Sequence, residues 1–130
     1  VVWKLVNSYR SNFSKENLEN YYKRLYQDDF IGFQKTKENL IKINKHCKIN
    51  KINCYLVNMP DIHKLNPYKL EFINNKMRNF TESIDLKYFD LLEIFQSEDE
   101  KKFWNKYNDP HPNQYAHNLI AMDIFEKLNK

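Results

Sequence analysis

The segment at 108–113 reads Asn-Asp-Pro-His-Pro-Asn and brings a carboxylate and an imidazole together in a constrained backbone. Pro110 disfavours the α region for Asp109, and Pro112 does the same for His111, so we expect both residues to be extended. A carboxylate at this spacing can accept a hydrogen bond from the imidazole Nδ1–H. Nε2 is then free to take a proton, as in general-base catalysis. The alternative is an ordinary solvated turn, because Asn, Asp and Pro are common turn formers.

The apolar spacing predicts helices alternating with short buried strands, followed by this segment as a rigid loop. The first predicted helix starts at Ser14 and is broken near Asp28 and Gly32, and the second has Phe33, Leu40, Ile43 and Cys47 on one face. A strand within 52–59, a helix from Pro67 and a strand within 84–92 follow. A capping box at 97–100 opens a short helix, and Asn113 caps the final helix, which has Ala116, Ile120, Ile124 and Leu128 in register.

This alternation predicts an α/β fold with a parallel sheet covered by helices, formed by residues 1–130 as a single domain. Two or three strands make a thin sheet. We therefore expect further strands, supplied by an upstream half of the same domain or by another chain. The chain begins at Val1 without an initiator Met, which also suggests a piece of a longer or processed protein.

Composition excludes several classes of function. Gly32 is the single glycine among 130 residues, so the chain has no glycine-rich phosphate loop, dinucleotide turn or glycine-built oxyanion hole. The net charge of +4 is modest and the lysines alternate with apolar positions, which favours solvated helix faces over a nucleic-acid partner. The sequence has no apolar stretch long enough to span a membrane.

The two cysteines, Cys47 and Cys54, lack the paired spacing of a zinc or redox motif. Buried free thiols are the expectation, and a single disulfide between them stays open. The absence of a signal-peptide-like start favours the cytoplasm.

The block from Asp109 to Ala121, DPHPNQYAHNLIA, resembles the last sequence block of the SGNH (GDSL-type) serine hydrolases. In that block an Asp and a His are followed by Pro-Asn and then a helix. Residues 57–60 also resemble the penultimate strand of that family. The resemblance implies a flavodoxin-like three-layer α/β/α fold, of which this chain is the C-terminal half without the N-terminal strands.

The same resemblance implies ester hydrolysis or acyl transfer, with His111 as the base and Asp109 as its orienting partner. Asn108 is a rival for the orienting role, because the commoner family spacing would place the Asp there. The family's Gly-Asp-Ser nucleophile block is missing. The serine is thus expected outside this chain, which alone should be inactive. The implied substrate is a small acyl ester, such as an O-acetylated carbohydrate, and no cofactor or metal is implied.

Other readings stay open. A non-catalytic assembly or binding module could pair through the incomplete sheet edge, and a nucleic-acid binder could use the basic helices and aromatics. His117 could join Asp109 and His111 as a metal ligand, although packing or capping is the simpler role. His63 is expected to be an exposed loop residue, and Trp104 and Tyr107 would line either a pocket or the core.

Overall fold

Helices and short strands alternate along residues 17–129, which are the residues that the computed structural model describes. The elements are α1 (Leu18–Leu25), α2 (Ile31–Ile49), β1 (Tyr55–Asn58), α3 (Glu71–Ser83), β2 (Lys87–Asp90), a first 3₁₀ helix (Glu93–Phe95), a second 3₁₀ helix (Glu100–Phe103), β3 (Trp104–Lys106), β4 (Asp109–Pro112) and α4 (Gln114–Leu128). The helix start predicted at Ser14 lies outside the described residues.

The chain forms two compact units that divide between Asn39 and Leu40, within α2. In the first unit, the side chain of Asn17 caps α1 by accepting a hydrogen bond from the Glu19 N–H. Turns at 26–30 separate α1 from α2, as predicted for Asp28, whereas Gly32 lies inside α2 and does not interrupt it. Across this break Lys37 Nζ lies 3.2 Å from Asp28 Oδ1, within the same unit.

Two small sheets lie in the second unit. β1 and β2 are parallel, with Tyr55 opposite Lys87 and Asn58 opposite Asp90, and α3 connects them. β3 and β4 form an antiparallel hairpin. The fold is thus mixed helix and strand, and it is compatible with the predicted α/β class. The segment expected to be a loop instead contains a strand. This strand tolerates Pro110 and Pro112 because, within residues 17–129, one edge of β4 has no pairing partner.

Two helix starts differ from the prediction. α3 begins at Glu71 rather than Pro67, because the chain passes through turns as far as Leu70. The capping box at 97–100 does not form, because Glu100 Oε2 faces the Leu65 N–H at 3.5 Å. Asp99 caps the second 3₁₀ helix instead, and its side chain accepts from the Lys101 N–H.

The core of the second unit centres on Phe95 and Phe103, which are both fully buried. Their rings meet edge to face with centroids 4.9 Å apart, a favoured aromatic geometry. The other buried members of this cluster are Ile62, Leu65, Leu91, Leu92 and Ala116. Of the predicted α4 core positions, Leu128 is the exception, since half of it is exposed.

The ends of α2 and α3 show how a chain with so little glycine terminates its helices. After α2, the Ile52 N–H donates to Cys47 O and the Lys51 N–H to Lys48 O, which is the Schellman pattern. Lys51 takes the left-handed position, with φ of 55°. Asp85 does the same after α3, with φ of 52°. A position that usually holds glycine is thus occupied at both ends by a residue with a side chain.

These two helix ends are joined to each other. Asn44 Nδ2 donates to Ile84 O at 2.7 Å, and Lys48 Nζ lies 2.8 Å from Asp85 Oδ2. Asn44 is therefore the buried residue on this side of α2, while Ile43, predicted to face the core, is half exposed.

A disulfide between Cys47 and Cys54 links the last turn of α2 to the residue before β1. The expectation of free thiols was wrong. The Schellman turn explains the proximity, because it reverses the chain between the two cysteines and brings them to the same place.

Replacing Lys51 with Gly should raise the free energy of unfolding by up to about 1 kcal/mol, because it relieves the left-handed backbone of a residue with a side chain. The matched control is Lys45→Gly, at an exposed position inside α2, which should lower stability by roughly 0.5–1 kcal/mol. Urea unfolding with the disulfide intact measures both. A loss of stability in Lys51→Gly comparable to that of the control would contradict the assigned turn.

Candidate functional site

The β3–β4 hairpin presents Asp109 and His111 together. Between Asp109 and Pro112, β4 has one residue more than the facing part of β3, because the register shifts between Trp104 and Lys106. Pro110 and Pro112 lie between and after the pair and are partly buried. The His111 side chain is 84% exposed and that of Asp109 is 35% exposed. The pair thus lies at the surface of the second unit.

The two side chains are in direct contact. His111 Nδ1 hydrogen-bonds to Asp109 Oδ1, and the His111 backbone N–H donates to the same oxygen at 3.2 Å. The contact predicted from the spacing is therefore present. Asn108, the rival for the orienting role, lies in the hairpin turn. The ring nitrogen of His111 contacts the Asp109 carboxylate.

The second oxygen of Asp109 has a different donor. Asn105 Nδ2, on the opposite strand, donates to Asp109 Oδ2 at 2.9 Å. Sequence reasoning missed Asn105, because the contact depends on the pairing of β3 with β4. The only available signal was a polar residue four positions before the carboxylate.

These hydrogen bonds lower the pKa of Asp109 to about 2, with the Asn105 amide as the largest cause, followed by the side chain and backbone N–H of His111. Each donor stabilises the charged form of the carboxyl group. Asp109 is therefore an anion at neutral and mildly acidic pH, as an orienting acceptor must be.

An imidazole held this way can act as a proton acceptor. When the neutral ring donates Nδ1–H to the carboxylate, Nε2 carries the lone pair. Because His111 is mostly exposed, an incoming hydroxyl can reach that nitrogen. The arrangement can accept a proton from an alcohol and can stabilise the imidazolium that results.

Of the two neighbouring aromatic residues, Trp104 takes the predicted core role, whereas Tyr107 is exposed and is not part of the core. Trp104 is partly buried against the core, and its indole N–H donates to Ile62 O at 2.8 Å. Tyr107 is 78% exposed in the hairpin turn, with Lys101 Nζ 5.8 Å from its ring centroid.

A metal site at this place finds no support in the geometry. His117 is exposed on the first turns of α4, where its backbone N–H donates to Asn113 O. Within residues 17–129, no three His, Cys, Asp or Glu side chains are grouped so that they could hold a metal ion.

A second Asp–His pair repeats the same local geometry after β1. His63 Nδ1 contacts Asp61 Oδ1, and the His63 N–H donates to that oxygen at 2.9 Å. His63 is exposed, as expected, but its pairing was not predicted. The shared Asp-x-His spacing was the signal that could have revealed it.

Asn113 fixes the hairpin to its surroundings. Its Oδ1 caps α4 by accepting from the Ala116 N–H, which confirms the predicted cap. Its Nδ2 donates to Lys102 O at 2.8 Å and to Trp104 O at 3.1 Å. One amide side chain, two residues after His111, therefore connects the second 3₁₀ helix, β3 and α4.

Comparison of the chain with protein-family models, with curated proteins and with solved structures finds no match. Among the described helices, none combines the length and the apolar character that crossing a bilayer requires.

Replacing Asn113 with Ala should lower the free energy of unfolding by about 2–3 kcal/mol, since it removes a helix cap and two hydrogen bonds to backbone carbonyls. Asn118→Ala, at an exposed position on the same helix, should change stability by less than about 0.5 kcal/mol. Urea midpoints measure the difference. Equal effects of the two substitutions would show that Asn113 does not hold these segments together.

The carboxyl group of Asp109 should titrate with a midpoint near 2 when its carboxyl carbon is followed by NMR. Because this pKa lies below the ordinary value of 3.8, the hydrogen bonds to Asp109 stabilise the fold at neutral pH. That contribution disappears as the pH falls from about 4 to about 2. A midpoint at or above 3.8 would contradict the assigned contacts.

Proposed function

We propose that this chain supplies the Asp–His part of a serine esterase site of SGNH type, acting on a small acyl ester. The supporting observation is that His111 Nδ1 contacts the Asp109 carboxylate while the His111 side chain is mostly exposed. The resemblance of the block from Asp109 to Ala121 to that family supplies the reaction class.

In this proposal a serine from outside the chain donates its hydroxyl proton to His111 Nε2 while its Oγ bonds to the acyl carbonyl carbon. Asp109 stabilises the imidazolium. The imidazolium then returns the proton to the departing alcohol as the ester C–O bond breaks. Water, or an acceptor alcohol in a transferase, cleaves the acyl-enzyme with His111 again as the base.

The nucleophile is proposed to lie elsewhere because the described serines offer no suitable group. Ser83 donates its hydroxyl proton to Phe80 O at 2.6 Å, at the end of α3. Ser97 precedes the second 3₁₀ helix without the Gly-Asp context of the family. The chain is thus proposed to hold the base without the nucleophile.

We propose that the parallel pair β1–β2 is part of a larger flavodoxin-like three-layer sheet, of which residues 1–130 are the C-terminal half. Parallel sheets usually have both faces covered and more than two strands, yet Val57 and Met59, in and after β1, are each 38% exposed. An upstream half of the same domain, or another chain, would supply the missing strands together with the serine.

The test uses the full protein that carries this chain, with an aryl acetate as substrate. His111→Ala should lower kcat/KM by at least about a thousandfold, because the serine loses its base. A fluorophosphonate should label a serine of the wild type and fail to label this variant.

The matched control is His63→Ala, which removes an exposed imidazole with the same local Asp contact. It should leave kcat/KM within about twofold of wild type. Circular dichroism verifies that both variants fold. Folded His111→Ala protein with undiminished activity and labelling would overturn the proposed function.

A second candidate function is a non-catalytic assembly module, and one feature of α4 favours it. Opposite the face that packs on the core, Met122 and Phe125 are 61% and 70% exposed. A helix that is apolar on both faces is usually buried on both. A Phe125→Glu variant that splits a stable oligomer, in a protein without esterase activity, would favour this candidate. A monomeric, active protein would exclude it.

A further inference from the structure

We propose that Asn105 is a positioning residue: its amide holds Asp109 Oδ2, so that Oδ1 stays directed at the His111 ring. The catalytic consequence of this assignment rests on the proposed function. The contact itself does not, and the two can be tested separately.

The geometry divides the donors between the two carboxylate oxygens. Oδ2 receives the Asn105 amide at 2.9 Å, while Oδ1 receives the His111 backbone N–H and the ring nitrogen. A carboxylate held at one oxygen only can rotate about its Cβ–Cγ bond. Donors at both oxygens, from opposite strands of the hairpin, fix the carboxylate plane relative to the ring.

The amide is the required group at position 105. Asn105 lies in β3 and is exposed, so its truncation removes little packing. A carboxylate of the same shape would offer no proton to Oδ2 and would place a like charge beside it, which raises the pKa of one member of such a pair. Asn and Asp at position 105 are nearly equal in size, but the amide is expected to lower the pKa of Asp109 and the carboxylate to raise it.

The elements around Asp109 carry other ionisable groups, and most of these have partners of their own. Lys106 lies opposite Asp109 in the hairpin register. In the second 3₁₀ helix, Lys102 pairs with Glu98, Glu100 faces the Leu65 N–H, and Lys101 lies over Tyr107. His117 is on α4. All of these side chains remain in the variants below, so a change in the titration of Asp109 reports the group at position 105.

The experiment compares Asn105→Ala, Asn105→Asp and Asn108→Ala in the full protein. Asn108 is exposed in the turn of the same hairpin and serves as the matched control. NMR should show the Asp109 midpoint rising from about 2 toward 3.8 in Asn105→Ala and further in Asn105→Asp. Asn108→Ala should leave it unchanged.

With the aryl acetate, Asn105→Ala should lower kcat about tenfold with little change in KM, because positioning affects proton transfer rather than binding. Asn105→Asp should be less active still and should lose more of its activity at the acid end of the pH profile. A merely structural role would lower stability without moving the Asp109 midpoint or the pH profile.

An unmoved Asp109 midpoint in folded Asn105→Ala protein would overturn the contact. A moved midpoint with unchanged kcat, in a protein whose activity depends on His111, would overturn the positioning role. If His111→Ala has no effect on activity, the proposed function fails, and the titration still decides whether Asn105 fixes the carboxylate.

Discussion

Asn113 holds together the backbone segments on which the Asp–His pair depends. Its amide donates to carbonyls at the end of the second 3₁₀ helix and the start of β3, its oxygen caps α4, and its own N–H donates to Phe103 O at 2.8 Å. The hairpin has strands of three and four residues, and two-stranded ribbons of this size are marginal alone. The hairpin is therefore held in place by the hydrogen bonds of Asn113 and by the buried Phe103 ring.

The exposure of the pair determines what kind of chemistry it can do. Hydrogen-bond donors at both oxygens of Asp109 lower its pKa and so favour its charged form. Because solvent screens exposed charges, the hydrogen bonds to Asp109 add only a little to the stability of the fold, and their main effect is to orient the His111 ring. A site open to water also needs covering before acyl transfer can be efficient. In the proposed enzyme, strands and a serine from outside the chain would supply that cover.

Local signals predicted the elements whose cause lies within a few residues. The cap at Asn113, the two parallel strands and the contact of Asp109 with His111 all follow from residues close together in sequence. The predictions failed where distant groups compete. Glu100 faces Leu65 instead of completing its capping box, and Asn44 replaces Ile43 in the core because the α3 end offers it a carbonyl.

Sequence reasoning missed the Asn105 contact and favoured free thiols over the disulfide for a similar reason. The first contact requires the register of the hairpin, and the second requires a left-handed Lys51 to reverse the chain between Cys47 and Cys54. The scarcity of glycine concealed these turns in the sequence. Lys51 and Asp85 adopt the left-handed backbone conformation, and a glycine at either position would have predicted the turn from the sequence.

The protonation pattern of the His111 ring tests the central claim most directly. Nitrogen NMR of the neutral imidazole distinguishes a protonated Nδ1 from a protonated Nε2. A ring oriented by Asp109 should carry its proton on Nδ1 and leave Nε2 bare and ready to accept a proton. A neutral ring protonated on Nε2, with Nδ1 bare beside the carboxylate, would contradict the assignment of His111 as a general base.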